Sequence, residues 1–462
     1  MNLSQLLVDI IDTDILVDIN HLCLNAKQVQ AGDVFIALQG TTTHGANYIQ
    51  QAIQNGCSAI LVDSMDLNCD VPWVRIDNLG QHLEALTQAR YPNATNVEVI
   101  GVTGTNGKTS VAHFIAQLFT RLDVDIGLIG TLGIGNSPIH SEHTTPDICT
   151  LYRALEHYHN HAIKLAVLEV SSHALEQNRI AGINLIQAIF TNLTQDHLDY
   201  HKDIESYKNA KLNLFKFETL KGAIVNGDDP HHLDFLKPVK TTNQAIYHLS
   251  DFAKITIVQY GFICQLNNFV FESALLGDFN LSNLLAAINS VEQFGFDREK
   301  IIPLLPNLIA PPGRMQQINN ACVWVDYAHT PDAIQHSINT LKQHYPDYQI
   351  RVVFGCGGDR DQDKRAKMGK IASTLADAVV LTNDNPRGED PQAIIDDILS
   401  GVTDTTKVST TLDRQLAIEN AIATLNENEC LLIAGKGHEH TQIFNQKTIT
   451  LSDIEIAQNA IN

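Results

Sequence analysis

The chain has 462 residues, too many for a single core, so two or three domains are expected. Apolar residues make up 44% and charged residues 18%, which fits a globular chain, and no apolar run approaches the roughly 20 residues of a membrane span. A formal net charge of −21 argues against nonspecific binding to nucleic acid or an anionic membrane.

Met1 to Ile19 scatters Asp9, Asp12, Asp14 and Asp18 among apolar residues, unlike the basic-then-apolar layout of an export signal. Short strands and helices are expected up to about residue 95, with a turn-rich stretch at Gly40-Thr41-Thr42-Thr43-His44-Gly45. Tyr91-Pro92-Asn93-Ala94-Thr95-Asn96 reads as a linker, because Pro and Asn disfavour continuing a helix. Val97-Glu98-Val99-Ile100 is strand-like. Val111, Phe114, Ile115, Leu118, Phe119 and Leu122 then recur at helical spacing, one apolar face. Further strands are predicted at 165–170, 186–190 and 222–226. Beyond the break at Ala310-Pro311-Pro312-Gly313 they recur at 322–326, 350–354, 378–382 and 430–434, with helical stretches between them. Such alternation predicts a parallel, doubly wound sheet. The eight cysteines are dispersed and none has C-x-x-C spacing. Neither a disulfide framework nor a zinc ribbon is suggested, and a cytoplasmic location is expected.

Gly101-Val102-Thr103-Gly104-Thr105-Asn106-Gly107-Lys108-Thr109-Ser110 is the strongest local signal. It stands between a strand and an amphipathic helix, the context in which backbone amides and a helix N-terminus hold phosphate. Lys108 is placed to reach the β- and γ-phosphates and Thr109 to ligate magnesium. The spacing departs from G-x-x-x-x-G-K-T, since Val102 stands where the first glycine belongs. Gly130-Thr131-Leu132-Gly133-Ile134-Gly135 reads as a plain loop. Glu169 ends one strand, and Thr191-Asn192-Leu193-Thr194-Gln195-Asp196-His197-Leu198-Asp199 follows another. Sites in open α/β sheets gather at such ends, so Glu169 and His197 are candidate magnesium ligands. His157, His159, His161, His231 and His232 read as surface residues.

With these motifs the chain resembles the Mur ligase family, ATP-dependent enzymes that build the peptidoglycan stem peptide. Gly104-Thr105-Asn106-Gly107-Lys108-Thr109-Ser110 matches the family's nucleotide loop. Glu169-Val170-Ser171-Ser172-His173, Asn192-Leu193 and Asp196-His197-Leu198-Asp199 match its central domain, and Tyr207-Lys208-Asn209-Ala210-Lys211 its carbamylated-lysine segment. Gly277-Asp278-Phe279-Asn280, Gly313-Arg314 and Asp326-Tyr327-Ala328-His329-Thr330-Pro331 match later nucleotide contacts. Thr144-Thr145-Pro146-Asp147, Gly355-Cys356-Gly357-Gly358-Asp359-Arg360-Asp361, Asp384-Asn385-Pro386-Arg387 and Gly435-Lys436-Gly437-His438-Glu439 resemble the members that add meso-diaminopimelate to a UDP-muramoyl dipeptide.

The resemblance implies three α/β domains. A smaller N-terminal domain (1–95) would bind the UDP-substrate and a central P-loop ATPase domain (96–313), with a mainly parallel sheet, would bind ATP. A C-terminal Rossmann-like domain (314–462) would bind the amino acid. Catalytic roles fall on Lys108, Glu169, His197 and Lys211. ATP contacts would be Gly104, Thr105, Asn106, Gly107, Lys108, Thr109, Ser110, Asn280, Arg314 and Asp326. UDP-substrate contacts would be Leu24, Thr41, Thr42, Thr43, Thr144, Thr145, Ser171, Gln177 and Arg179. Arg360, Asp384, Asn385, Pro386, Arg387, Gly435 and Glu439 would bind diaminopimelate. Magnesium would lie on Thr109, Glu169, His197 and carbamylated Lys211. A monomer is expected, with domain closure around ATP, ATP as co-substrate and no nucleic-acid or membrane partner. Arg387 matters physically because an arginine fork can pair with the carboxylate that distinguishes diaminopimelate from lysine. Two positions depart from the family: Asn25-Ala26-Lys27 replaces D-S-R, and His143 stands where asparagine is common. The competing readings are a lysine- or folate-glutamate-adding relative, and a nucleotide-binding regulator without ligation.

Overall fold

In the computed structural model every residue is described apart from Thr41, Thr42, Ser64, Glu142, His197, Gln446 and Asn462, and apart from the side chains of Leu198 and Asp199. The chain divides into two compact units, Met1–Tyr247 with Asn289–Gly295, and His248–Ile288 with Phe296–Asn462.

The first unit holds two sheets. Strands β1 (Leu22–Cys23), β2 (Val34–Ala37), β3 (Ala59–Asp63) and β4 (Trp73–Ile76) pair in sequence order, all parallel. The larger sheet comprises β5 (Glu98–Thr103), β6 (Ile126–Gly130), β7 (Gly133–Ile134), β8 (Leu165–Glu169), β9 (Leu185–Phe190), β10 (Gly222–Asn226) and β11 (Gln244–Tyr247). Its order is β11-β10-β9-β5-β8-β6-β7, and only β6–β7 is antiparallel. β8 and β9 are buried along their whole length, which is why they are mainly apolar in sequence, apart from Gln187 within β9 and Glu169 at the end of β8. Register sets Val102 beside Glu169 and Thr103 beside Phe190. Three strand ends therefore open side by side, and the segments following them share one edge of the sheet.

A single core joins both sheets, from Leu6, Val34 and Leu61 through Tyr91 and Tyr152 to Leu168 and Phe190. The 91–96 segment does end the helix Leu83–Arg90, as Pro and Asn predict, but it is not a free linker. Tyr91 and Ala94 are buried, and the Tyr91 hydroxyl accepts from the Leu22 amide at 3.2 Å.

His21 stacks beside Tyr91, and burial followed by the charge of Arg153 lowers its pKa from 6.5 to about 4, against the opposing pull of Asp33. Because the folded value is depressed, the unfolded chain binds more protons between these values. Its contribution to stability is complete above about pH 6.5 and is lost as pH falls through about 4. His21→Gln is expected to flatten the pH dependence of urea unfolding across that window. An unchanged slope would rule out His21 as the source.

The second unit contains an antiparallel meander that is not among the predicted strands, β12 (Phe252–Val258), β13 (Gly261–Leu266) and β14 (Phe269–Ser273). Its main sheet comprises β15 (Gln316–Gln317), β16 (Val323–Asp326), β17 (Gln349–Phe354), β18 (Ala378–Leu381), β19 (Val408–Thr410) and β20 (Glu429–Ala434). The order is β15-β16-β20-β17-β18-β19, parallel except for β15. Ile334, Val352 and Leu432 pack on one face and Val323, Ile418 and Leu431 on the other, the doubly wound arrangement predicted. A small hairpin, β21 (Thr441–Phe444) with β22 (Lys447–Thr450), follows.

One expectation is corrected here. Cys322, the residue before β16, and Cys430 in the neighbouring parallel strand β20 are 108 residues apart, with Cα atoms 4.9 Å apart, and are joined as a disulfide. Sequence spacing carries no trace of such a pairing, because strand order alone brings the two together. Among the described residues, no helix is long and apolar enough to cross a membrane.

Candidate active site

In the first unit, the Gly-rich turn runs from the end of β5 into the helix Lys108–Arg121, whose N-cap is Gly107 at φ 85°. Gly101, one residue before the position of the missing motif glycine, is a β5 residue packed against Leu185 and Leu214. The turn is laced to the segment after β9. Thr105 N donates to Asn192 O at 2.8 Å, Asn106 N to Asn192 Oδ1 at 2.9 Å, and the Thr191 hydroxyl to Asn106 O at 2.6 Å. A Cβ on Gly104 would collide with Thr191, so this position has room only for hydrogen. Lys108 Nζ reaches back to the carbonyls of Gly104 (2.9 Å) and Thr105 (2.8 Å).

Glu169 is fully buried, and its carboxylate accepts from Thr109 Oγ1 at 2.8 Å and from Thr131 N at 2.9 Å. The Thr131 hydroxyl lies 3.0 Å from both Glu169 Oε2 and Thr144 Oγ1. The stretch 130–135 is therefore not a plain loop. It closes the β6–β7 hairpin, and Gly130 is pressed against Glu169, where a Cβ would collide with the carboxylate. Thr131 is a site residue that the sequence reading missed, because its glycines carried no phosphate-loop spacing. Magnesium needs only one or two carboxylates besides substrate phosphates and water, so Glu169 beside Thr109 offers a fitting set of hard oxygens. Among the described residues, no three His, Cys, Asp or Glu side chains form a metal cage. His197 lies outside the described residues.

Lys211, on the helix Ile204–Leu212, is 1% exposed. Its Nζ donates to Gly104 O at 2.9 Å and lies 4.2 Å from the centre of the Tyr207 ring. Burial, then repulsion from Lys108, pushes its pKa well below the usual lysine value, against the attraction of Asp196.

The predicted substrate contacts 144–179 are also brought together. Thr145 Oγ1 donates to Glu169 O at 2.8 Å and accepts from Ser171 N at 3.0 Å. Ser171 caps the helix Ser172–Glu176. Arg179 donates to Thr145 O at 2.9 Å and, through Nε and Nη2, to Gln177 Oε1 at 2.9 and 2.6 Å. Leu24 follows β1, and Thr43 Oγ1 lies 3.5 Å from the Tyr48 hydroxyl. Thr41 and Thr42 lie outside the described residues. The predicted surface histidines are half-buried at His157, His159, His231 and His232 and exposed at His161.

In the second unit, the loops after β17, β18 and β20 meet. Asn385 is buried and donates from Nδ2 to Glu439 Oε2 at 2.9 Å. Lys436 Nζ donates to the same Glu439 oxygen at 2.7 Å and to Asn385 Oδ1 at 3.1 Å. Asp384 accepts from Asn385 N at 2.7 Å and lies against Gly435, leaving no room there for a side chain. Arg387 sits at φ 52°, paired with β21 through Ile443 O, and Nη1 donates to Gly358 O at 2.9 Å. Pro386 separates it from Asn385, and Arg360 is exposed. Two buried arginines that sequence did not single out brace these loops. Arg365 pairs with Glu389 at 2.8 Å and Asp397 at 2.9 Å and donates to Gly357 O. Arg414 pairs with Asp453 at 2.7 Å and donates to Asn383 O and Ala434 O.

Of the expected nucleotide contacts in this unit, Arg314 lies over Tyr327, 4.5 Å from the ring centre. Asp326 accepts from Met315 N at 2.9 Å and from the Ser337 hydroxyl at 2.7 Å, and Asn280 is buried with Nδ2 on Leu276 O.

Three family models match successive parts of the chain: the Mur ligase family catalytic domain over residues 18–101, the Mur ligase middle domain over 102–291, and the Mur ligase glutamate ligase domain over 313–437. A protein of Wigglesworthia glossinidia brevipalpis named UDP-N-acetylmuramoyl-L-alanyl-D-glutamate–2,6-diaminopimelate ligase is 36% identical, covering 98% of this chain and 97% of its own. The chain belongs to the Mur ligase family. A protein of the same name from Bacillus velezensis is also 36% identical, over 96% of this Mur ligase and 94% of its own length. A solved structure of a ligase of that name aligns with TM-score 0.65 and 34% identity over 100% and 99% of the two chains. The Thermotoga maritima MurF ligase complexed with ADP shares the fold at 18% identity, with TM-score 0.63 over 96% of each chain. The mainly parallel α/β architecture expected from the sequence is thus the Mur ligase architecture. At the family's D-S-R position this Mur ligase buries Ala26 at the start of a short 3-10 turn, with Asn25 capping that turn through Lys27 N.

Proposed function

We propose that the protein is an ATP-dependent amide-bond ligase of peptidoglycan synthesis that joins meso-diaminopimelate to UDP-N-acetylmuramoyl-L-alanyl-D-glutamate. The observation that carries this reading is the pairing of the 384–387 and 435–439 loops, in which Glu439 accepts from Asn385 and, two residues on from Asn385, Arg387 is held by Gly358 O. A guanidinium and a carboxylate so held suit the zwitterionic far end of diaminopimelate; lysine offers only an ammonium there.

In the proposed reaction the D-glutamyl side-chain carboxylate attacks the γ-phosphorus of ATP. The bond from that phosphorus to the bridging oxygen breaks, ADP leaves, and an acyl phosphate forms. The diaminopimelate amine attacks the acyl carbon, and the tetrahedral adduct loses phosphate and a proton. The amides of Gly104 to Gly107 and the helix N-terminus hold the phosphates, and Lys108 stabilises charge on the transferring group. Thr109 and Glu169, with His197 and carbamylated Lys211 by family resemblance, would hold magnesium, which when bound neutralises phosphate oxygens. The depressed Lys211 pKa supports the carbamate, since only a neutral amine attacks carbon dioxide. Thr144, Thr145, Ser171, Gln177 and Arg179 would contact the UDP-linked dipeptide, with Leu24 and Thr41 to Thr43. Asn280, Arg314 and Asp326 are proposed as nucleotide contacts. The domain limits 1–95, 96–313 and 314–462 are proposed on the same resemblance, as are a monomer and a cytoplasmic location.

Phosphate release with ATP, magnesium and the UDP-dipeptide tests the reading. Release is expected with meso-diaminopimelate and not with L-lysine or without amine. Arg387→Ala should raise KM for diaminopimelate by roughly tenfold or more, the loss of a charge-assisted pair. Equal release with lysine would refute Arg387 as the selector, and no release with either amine would favour the regulator reading.

A further inference from the structure

The Glu439 carboxylate is the group proposed to receive the distal ammonium of the amino acid, and its neighbours fix how it is presented. Glu439 Oε2 already accepts two hydrogen bonds, from Lys436 Nζ at 2.7 Å and Asn385 Nδ2 at 2.9 Å. Asn385 is itself held in one orientation. Its Oδ1 accepts from Ile443 N at 2.9 Å and from Lys436 Nζ at 3.1 Å, so its amide nitrogen must face Glu439. Lys436, Asn385 and Glu439 thus close a three-membered ring of hydrogen bonds that ties the 384–387 loop to the 435–439 loop.

The charges are arranged unequally. Lys436 is 1% exposed, whereas the Glu439 side chain is 30% exposed. A buried ammonium is tolerated only when paired, so Lys436 binds Glu439 strongly while itself being sealed from solvent. Burial opposes ionisation of Glu439, yet the Lys436 ammonium and the hydrogen bonds from Lys436 and Asn385 hold its carboxyl below the usual range. With Oε2 committed, Oε1 is the oxygen left for an incoming cation.

We propose that Lys436 is a positioning residue for amino-acid selection: by occupying Glu439 Oε2 and orienting Asn385, it presets Glu439 Oε1 to accept the distal ammonium of diaminopimelate. Lys436 touches no substrate in this scheme and acts through Glu439. The inference rests on the ligase reading above and adds the device that orients the acceptor before the ligand arrives, which reduces the ordering cost of binding.

A double-mutant cycle tests it, using the full chain and initial rates of phosphate release with ATP and the UDP-dipeptide saturating. Lys436→Met is expected to raise KM for meso-diaminopimelate by roughly tenfold, the loss of a hydrogen bond to a charged group, with KM for ATP unchanged. In a Glu439→Gln background the same substitution should change that KM by less than about twofold, because the group it positions is already altered. Equal factors in both backgrounds, or an unchanged KM in the single variant, would overturn the proposal. If Lys436→Met does not fold, Lys436→Gln replaces it in both arms and is judged by the same two ratios. The wild-type arm separates the two failures. Wild-type protein with no diaminopimelate-dependent release defeats the ligase reading itself, whereas normal wild-type release with independent effects defeats only the role of Lys436.

Discussion

Lys108→Ala is expected to lower kcat by roughly 100- to 1000-fold, the usual loss when one preorganised donor to a developing charge is removed. The side chain leaves the first turn of the helix Lys108–Arg121 and its ammonium rests on the carbonyls of Gly104 and Thr105. It is therefore held over the turn whose amides would hold the phosphates. The turn does not depend on it alone, since Thr105, Asn106, Thr191 and Asn192 tie the turn to the segment after β9. Thermal unfolding of the variant should be close to that of the wild type while single-turnover phosphate release falls. A variant that unfolds normally and keeps its rate would remove Lys108 from the mechanism.

The sequence announced these residues unevenly. Strand, glycine-rich turn and helix are local patterns, so 98–121 was legible, as were Glu169 and the 191–196 segment at strand ends. Long-range partners were not. Thr131 sat in a glycine cluster of the wrong spacing, and only the β6–β7 hairpin carries it to Glu169. The Cys322–Cys430 bond depends on two strands being neighbours across 108 residues. The meander 252–273 was missed although Ala253, Ile255 and Ile257 alternate with Lys254 and Thr256, a pattern that belongs to a largely exposed strand with no buried apolar run. In the 384–387 and 435–439 loops the motif residues were visible, yet what braces them was hidden. Arg365 and Arg414 lie on helices far along the chain, and nothing in their spacing marks them as buried.

That bracing leads to the largest stability effect. Arg414 and Asp453 are both within 1% of complete burial, and their two hydrogen bonds are 2.7 Å each. Arg414 also donates to Asn383 O and Ala434 O, the residues that precede Asp384 and Gly435. Asp453→Ala removes one charge and leaves the guanidinium buried without its partner, at an expected cost of about 3–5 kcal/mol. Trp324, buried in β16, reports unfolding of this unit by fluorescence once the other tryptophan, Trp73, is replaced by phenylalanine. In that background the urea midpoint should fall sharply. The double variant Arg414→Met/Asp453→Leu buries no charge and should recover much of the loss, because apolar replacements of buried pairs are often neutral. It does not restore the donors to Asn383 O and Ala434 O, so recovered stability with a persistently raised KM for diaminopimelate separates folding from loop positioning. A loss below about 1 kcal/mol in Asp453→Ala, the range of an exposed pair, would mean that water reaches this pair and that it does not brace the loops.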